Sequence, residues 1–243
     1  MTTHVFSTMG TVASLRVDGP APSAQDLEAV EAVFRRHDET FSLYDEASPL
    51  SRIARGELAL SASGAQILDA YALALDWRSR TGGAFTPHRP DGVVDLSGVV
   101  KALAMEEAGV LLAREHPDFL LAVGGDILGR GLDEGADWKV GVVDPAHRDR
   151  LAALVDLTGS RRAVATSGTA ERGQHLWRRG GERFCQVTVV ADDIVTADVL
   201  ATAIAAGDGS DLDRICGGFD VDVITFDLEG AARATPAARG WVV

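Results

Sequence analysis

Apolar side chains recur every three or four residues in four stretches of this chain of 243 residues, and each stretch predicts a helix. Capping-type residues precede them and glycines or loops follow. The predicted helices run from the capping pair Ser23 and Asp26 to Phe41, from Ser63 to Arg80, from Asp95 to about Arg114, and from Thr196 as the cap to Gly207.

Shorter apolar or alternating runs predict strands, and these dominate after residue 138. The predicted strands are a pair within 5–17 that breaks at Met9-Gly10-Thr11, then 93–94, 119–123, 138–143, 162–166, 184–191, 221–228 and a return within 231–243. The polar segment 41–53 is predicted to be a loop. Since helices and strands alternate only in part, we expect an α+β fold with mixed, mostly antiparallel sheets and packed helices.

Composition limits the classes of partner. With 46% hydrophobic residues the chain can bury a sizeable core, and no repeat or low-complexity linker divides it, so we expect one domain over 1–243. The net charge is -13, from 36 acidic and 23 basic residues, and no segment concentrates Lys and Arg. Nucleic acid is therefore not an expected partner.

Cysteine content and hydropathy indicate the compartment. Cys185 and Cys216 are too few for a disulfide framework or a cysteine metal site, and we expect both to be reduced packing residues. The first residues lack the charged start and apolar core of a secretory signal, and no later apolar run approaches about 20 residues. These features predict a cytoplasmic protein without a transmembrane segment.

The candidate chemistry lies in the fourth helix, where Asp198 and Thr202 stand four residues apart on one face. A carboxylate and a hydroxyl one turn apart are hard oxygen ligands that suit Mg²⁺. The alternative is that Asp198, in the first turn, only complements the helix dipole while Thr202 packs.

Six segments occur in an order that resembles a known family. They are MGT at 9–11, FSLYDEASPLSR at 41–52, DLSGVVKALAMEEA at 95–108 with VGGDILGRG at 123–131, ATSG at 165–168, and TADVLATA at 196–203. Together they resemble the ApbE family of FAD:protein FMN transferases over nearly the whole chain. The resemblance implies an ApbE-like fold of two interlocked α+β halves. It also implies Mg²⁺-dependent transfer of FMN from FAD to a Thr or Ser hydroxyl of an acceptor flavoprotein, with release of AMP.

The same resemblance assigns roles to residues. Asp198 and Thr202 become the metal ligands, Gly98 supplies a backbone carbonyl to the same ion, and FAD is the substrate that Mg²⁺ bridges. The implied contacts to FAD are Met9, Tyr44, Ala84, Phe85, Thr86, Asp95, Lys101 and Trp177. His175 is the candidate general base, because it is the one His near these segments in the sequence.

Each role has a simpler alternative that the residues alone leave open. Lys101 fits a second positive charge for the pyrophosphate or a solvated helix residue. Tyr44 fits a flavin-stacking ring or a packing anchor, and the glycines at 124–125 fit a phosphate loop or an ordinary turn. His175 fits a base or a surface histidine beside Trp177.

Departures from the family pattern keep other functions open. Thr86 stands where members carry Asp, Ala102 follows Lys101 where they carry Gly, and 175–182 reads HLWRRGGE where they carry a His-x-x-x-Pro-x-Thr-Gly turn. Without that turn the rim of the flavin site is shorter, so water can replace the acceptor hydroxyl and split FAD to FMN and AMP. The alternatives to FMN transfer are therefore an FAD pyrophosphatase and a non-catalytic flavin-binding protein.

Overall fold

The computed structural model of the protein describes residues 2–168 and 183–243, which form an α+β fold. In these residues the helices are α1 Ala24–Phe41, α2 Pro49–Ala54, α3 Ala65–Arg80, α4 Ser97–Leu112, α5 Ile194–Ala206 and α6 Gly209–Gly218, with 3-10 turns at Leu60–Ala62 and Ala238–Trp241. The strands are β1 Thr2–Thr8, β2 Thr11–Val17, β3 Phe119–Val123, β4 Asp126–Arg130, β5 Trp138–Val143, β6 Leu151–Leu157, β7 Ala163–Gly168, β8 Phe184–Ala191, β9 Asp222–Asp227 and β10 Ala232–Ala234.

One large sheet organises the described residues. Its strand order is β1-β2-β3-β4-β7-β8-β9-β10, and every neighbouring pair among these strands is antiparallel. Strands β5 and β6 form a separate antiparallel pair. The α+β class with mostly antiparallel sheets, expected from the sequence, is therefore confirmed.

Side chains alternate across the large sheet and so build two hydrophobic layers. In β3, Leu121 packs in the layer that contains Met105 of α4 and Leu200 of α5. Its neighbour Leu120 packs on the opposite face, in the layer that contains Trp138 of β5. The molecule thus has helices on one face of the sheet and the β5-β6 pair on the other.

Helix α5 is buried almost all round, because most of its side chains are small or aliphatic and it packs against β7, β8 and α4. Alanines such as Ala197 and Ala201 are fully buried and allow the neighbouring elements to approach closely. Asp198 is a charged exception within this helix, with 1% of its surface exposed. A charge in such a position needs a compensating partner, which directs attention to the residues around it.

Several predicted boundaries were wrong. The expected loop at 41–53 contains α2, because Ser48 Oγ caps that helix by accepting the N–H of Ser51 and Pro49 occupies its first position. The expected strand at 93–94 is only an isolated bridge between His88 and Val94. The second helix begins at Ala65 rather than Ser63, after a 3-10 turn.

Besides α2, three described elements were missed by the pattern of apolar residues. Strand β4 follows β3 through a two-residue turn, and β6 pairs with β5. Helix α6 begins with a capping box, in which Asp208 accepts the N–H of Asp211 and Asp211 accepts the N–H of Asp208. The predicted return at 231–243 forms only the short strand β10 and a 3-10 turn.

Both cysteines are free thiols, as predicted. Cys185 Sγ donates a hydrogen bond to the Asp227 carbonyl at 3.1 Å. Burial raises the pKa of the Cys216 thiol, with smaller contributions from the negative charges of Asp213 and Asp222. Cys216 is therefore held in its protonated, less nucleophilic form.

A search for membrane spans covered the helices of residues 2–168 and 183–243. None of those helices combines the length and the apolar character needed to cross a bilayer.

Candidate active site

Five polar side chains meet between the helix-covered face of the large sheet and the helices α4 and α5. The sheet contributes Asp126 and Ser167, α4 contributes Lys101, and α5 contributes Asp198 and Thr202. Thr202 is partly buried, and the other four are almost completely removed from solvent. A polar cluster of this kind, inside a largely apolar interior, is costly unless its charges compensate one another.

Lys101 is the cation of this cluster. Its side chain is 7% exposed, its Nζ atom contacts Oδ2 of Asp126, and the same Nζ lies 3.7 Å from Oδ2 of Asp198. The alternative that Lys101 is a solvated helix residue is therefore wrong. The ammonium group instead lies between two buried carboxylates on different elements, α5 and β4.

Asp126 is held in place by the β3-β4 hairpin and was missed as a candidate site residue. Gly124 adopts a φ of 60°, a left-handed conformation that glycine tolerates, and the turn places Val123 opposite Asp126. The Oδ1 atom of Asp126 accepts the N–H of Thr166 at 3.2 Å. An Asp between two apolar strand segments was the sequence signal, because a carboxylate there has to find a partner inside the protein.

Asp198 occupies the second turn of α5, not the first. The residue that caps the helix is Asp193, whose Oδ1 accepts the N–H of Thr196 at 2.7 Å, so the predicted Thr196 cap is wrong. Asp198 is also buried rather than exposed. Its position removes the alternative that it merely complements the dipole at the helix start.

Thr202 follows Asp198 by one turn on the same face of α5. Its Oγ1 atom lies 3.4 Å from Oγ of Ser167, which is buried in β7. The sequence marked residue 167 only as part of the segment ATSG, so the Ser167 hydroxyl is an addition to the candidate site. The cluster thus combines carboxylate and hydroxyl oxygens.

Gly98 lies in the first turn of α4 and packs closely against Phe85. A Cβ atom at position 98 would stand 2.8 Å from Cε2 of Phe85, so the glycine permits this approach. Just before the helix, Asp95 Oδ1 accepts the N–H of Ser97 at 3.0 Å and supports the helix start. The early part of α4 and the segment around Phe85 therefore form one packed unit.

The segment before α4 places its three candidates in different environments. Ala84 and Phe85 are buried, while Thr86 is partly exposed. Oγ1 of Thr86 accepts the N–H of His88 at 3.3 Å. Burial lowers the pKa of His88, with a smaller effect from the positive charge of Arg78, which keeps this imidazole neutral.

Two further candidates lie in turns. Met9 has a φ of 46°, unusual for a residue with a side chain, and forms the β1-β2 turn with Gly10. Tyr44 is 82% exposed, so the alternative that it anchors packing is wrong. The turn that contains Tyr44 begins at Ser42. The Ser42 carbonyl accepts hydrogen bonds from the hydroxyls of Ser48 and Ser51 at 2.5 Å and 2.9 Å, which hold this turn in place.

His175 and Trp177, predicted as the general base and an FAD contact, lie outside the described residues. Within 2–168 and 183–243, no group of three or more His, Cys, Asp or Glu residues is arranged to hold a metal ion. Any metal held by the described cluster would therefore need hydroxyl, carbonyl, substrate or water oxygens as well as Asp198.

The model of the ApbE family matches residues 88–216, just over half of the chain. This span includes Gly98, Lys101, Asp126, Asp198 and Thr202. The chain belongs to the ApbE family. The resemblance inferred from the order of the six segments is thereby confirmed.

Solved ApbE structures share the fold of this ApbE-family chain. Flavin Transferase ApbE from Vibrio cholerae matches with a TM-score of 0.81 and 19% identity, over 99% of both chains. The ApbE protein from Thermotoga maritima MSB8 matches with a TM-score of 0.80 and 19% identity, over 100% of this chain and 99% of its own. The apo form of the flavinyl transferase ApbE from Pseudomonas stutzeri matches with a TM-score of 0.79 and 18% identity, over 99% of this chain and 96% of its own.

Similar curated sequences include the biotin synthases of Bordetella pertussis and Bordetella parapertussis. Each is 28% identical to this chain over 148 residues, which is 60% of the chain. The matched part covers only 42% of the length of those relatives.

Proposed function

We propose that this ApbE-family chain transfers FMN from FAD to a Thr or Ser hydroxyl of an acceptor protein, depends on Mg²⁺ and releases AMP. The observation that carries the proposal is the buried cluster in which Asp198 and Thr202 lie on one face of α5 with the Lys101 ammonium 3.7 Å from Asp198. The fold shared with structures named flavin transferases supports it.

The donor set fits Mg²⁺ by its chemistry. Asp198 offers a carboxylate, Thr202 a hydroxyl and Gly98 a backbone carbonyl, all of them hard oxygens. Neither cysteine of the chain lies in the described cluster, so there is no soft ligand that would favour another metal. We propose these three residues as the metal ligands, with phosphate and water oxygens completing the shell.

The residues of the chain would bind and orient the substrate around that site. Bound Mg²⁺ supplies positive charge against the charge that develops on the phosphate bridge. Lys101 adds a fixed ammonium in a region from which water is largely excluded, where electrostatic interactions are stronger than in solvent. The net charge of -13 makes such local cations necessary for a dianionic substrate.

The flavin and adenosine parts of FAD would contact the rim of the site. The exposed ring of Tyr44 offers a flat surface for stacking, and its turn is held in place by Ser42. Together with Tyr44, the proposed FAD contacts are Met9, Ala84, Phe85, Thr86, Asp95, Lys101 and Trp177.

His175 remains the candidate that accepts the proton of the acceptor hydroxyl. In the described cluster the basic side chain is Lys101, whose ammonium contacts Asp126 and has three N–H donors but no lone pair that could accept a proton. Asp198 and Thr202 act in the same proposal through the metal.

We further propose that residues 1–243 form one domain, because the large sheet includes strands from both ends of the chain. The two free thiols support a reducing, cytoplasmic location for it.

The test is incubation of the protein with FAD and Mg²⁺, with and without peptides that contain Thr or Ser, followed by detection of AMP, free FMN and flavinylated peptide. The proposal predicts AMP and flavinylated peptide in equal amounts, and loss of both in Asp198→Asn. AMP with free FMN regardless of peptide would identify a pyrophosphatase. FAD binding without AMP would identify a flavin-binding protein.

A further inference from the structure

A cavity separate from the polar cluster lies between three helices. Its volume is about 400 Å³, and its lining residues come from α1, α3 and α4. Volumes of roughly 300–1,000 Å³ are typical of small-molecule sites. The cavity exists because α1 packs along α4, whereas α3 approaches α4 at few positions. None of the five residues of the polar cluster lines it.

Part of the wall of this three-helix cavity is apolar. Phe41 of α1 and Ala70 of α3 are buried, while Leu73 of α3 and Leu103 of α4 are partly buried. The ring of Phe41 stacks on that of His37, with ring centroids 5.8 Å apart. Such a wall favours a ligand with an apolar body, because their contact removes apolar surface of both from water.

Three carboxylates, those of Asp69, Glu106 and Glu107, line the same cavity. Glu107 is already compensated, because it contacts Arg36 and its Oε2 atom lies 3.0 Å from Nε2 of His37. Asp69 and Glu106 form no ion pair with any residue in the part of the chain that the structure describes. The cavity therefore carries two negative charges without a cationic partner there.

Glu106 lies where its negative charge is unfavourable. Partial burial raises the pKa of its carboxyl, and the negative charge of Asp193 at the start of α5 adds to this effect. A positive group beside Glu106 would offset both effects, because it favours the ionised carboxylate. A carboxylate with a perturbed pKa in a cavity is a recognised mark of a binding site.

The chemistry of the wall favours an organic cation over a metal ion. Among residues 2–168 and 183–243, no group of three or more His, Cys, Asp or Glu residues is arranged to hold a metal. A hydrated inorganic cation would also gain nothing from Phe41, Leu73 and Leu103, because it takes oxygen ligands. A cation attached to an apolar body complements both the carboxylates and the apolar wall.

We propose that the three-helix cavity binds a small organic amine. The ammonium group lies against Glu106 and Asp69, and the apolar body packs on Phe41, Leu73 and Leu103. This inference does not rest on the proposed function, because it uses no residue of the polar cluster.

The test uses tryptamine, an amine with an aromatic body, and follows its binding to the isotope-labelled full chain by nuclear magnetic resonance. The titration is made at about pH 8, where carboxylates and alkylamines are both ionised. Tryptophol, which carries a hydroxyl in place of the ammonium group, is the matched neutral ligand. We expect saturable binding of tryptamine at millimolar concentration and binding of tryptophol that is weaker by about tenfold or more. Equal affinities, or no binding of tryptamine up to about 10 mM, would overturn the inference.

Two charge variants locate the ammonium group. Glu106→Gln and Asp69→Asn should each weaken tryptamine binding by about fivefold or more and leave tryptophol binding unchanged. Asp76→Asn is the matched control, because it removes the same charge from α3 at a position that does not line the cavity. An equal loss in the control would show general attraction to the net charge of -13 and would contradict a defined site.

A change of shape tests the apolar part of the site without a change of charge. Leu73→Trp places a larger side chain in the wall of the cavity and should abolish tryptamine binding. Leu68→Trp, at an exposed position on the same helix, is the control and should bind like the wild type. Undiminished binding by folded Leu73→Trp would overturn the inference. The charge variants and tryptophol decide the question if Leu73→Trp does not fold.

Competition with Mg²⁺ distinguishes an organic from an inorganic cation. Addition of Mg²⁺ to about 5 mM should leave the affinity for tryptamine within about twofold. Displacement of tryptamine by Mg²⁺ would identify an inorganic cation site instead.

Discussion

The Lys101 ammonium lies 3.7 Å from Oδ2 of Asp198, and both side chains are shielded from solvent. This approach links α4 to α5 by charge in a region where the two helices otherwise pack through small apolar side chains. The two helices are separated by about 80 residues of sequence, so the relationship is a product of the fold. The same contact makes the buried cluster sensitive to loss of the positive charge of Lys101.

Lys101→Met should destabilise the protein strongly. The change leaves the buried carboxylates of Asp126 and Asp198 without their ammonium partner, which typically costs about 3–5 kcal/mol. The measurement is urea denaturation at neutral pH. Lys139→Met is the control, because its pair with Asp156 is exposed and such pairs contribute about 0–1 kcal/mol. Equal losses for the two variants would contradict the buried pairing.

Thr202→Val should separate metal binding from packing. Valine keeps the branched shape and removes the oxygen, so the Mg²⁺ concentration for half-maximal AMP release should rise by about tenfold or more. Stability should change by about 1 kcal/mol or less, because the contact with Ser167 is long at 3.4 Å. Thr202→Ser retains the hydroxyl and should titrate like the wild type. An unchanged Mg²⁺ titration for the valine variant would assign Thr202 to packing alone.

Asp193→Ala tests which residue begins α5. Its carboxylate accepts the N–H and the hydroxyl of Thr196, both at 2.7 Å, and loss of such a cap costs about 1 kcal/mol. Thr196→Ala leaves the cap on the backbone intact and should have a smaller effect on the free energy of unfolding. A larger loss of stability in Thr196→Ala than in Asp193→Ala, measured by thermal or urea unfolding, would identify Thr196 as the cap.

Arg161 should be a stabilising residue away from the candidate site. Its guanidinium pairs with Asp192, Asp220 and Asp222 at 2.7 to 3.0 Å, and these hydrogen bonds raise its pKa despite the opposing effect of burial. Arg161→Gln should cost about 1.5–3 kcal/mol, because charged hydrogen bonds are lost.

The control for that change is Arg35→Gln. Its pair with Glu28 is exposed on both sides, so its loss should lower the free energy of unfolding much less than Arg161→Gln does. FAD binding should be unaffected in both variants. Equal unfolding free energies for the two would show that the three carboxylates around Arg161 contribute no more than a surface pair.

The sequence predicted the elements that rest on strong local patterns. The capping box of Ser23 and Asp26 starts α1 as expected, and the apolar run at 184–191 forms β8 with the predicted bounds. Short elements were lost because their signals are weak. Helix α2 depends on the Ser48 cap, and β4 depends on pairing with β3 rather than on its own composition.

The candidate site likewise contains residues that the sequence alone predicted and residues that it did not. The spacing of Asp198 and Thr202 is local, so the sequence alone predicted that they share one face of a helix. The burial of Lys101 was not predictable in this way, because its partners lie on β4 and α5 and become neighbours only when the sheet forms. Asp126 was missed for the same reason.

Calorimetric titration of FAD into the protein in the presence of Mg²⁺ tests the central claim most directly. We predict binding by the wild type, and an affinity at least about tenfold lower when Mg²⁺ is omitted or Asp198 is changed to Asn. No binding by the wild type at about 1 mM FAD, or equal affinity for the wild type and Asp198→Asn, would contradict the account.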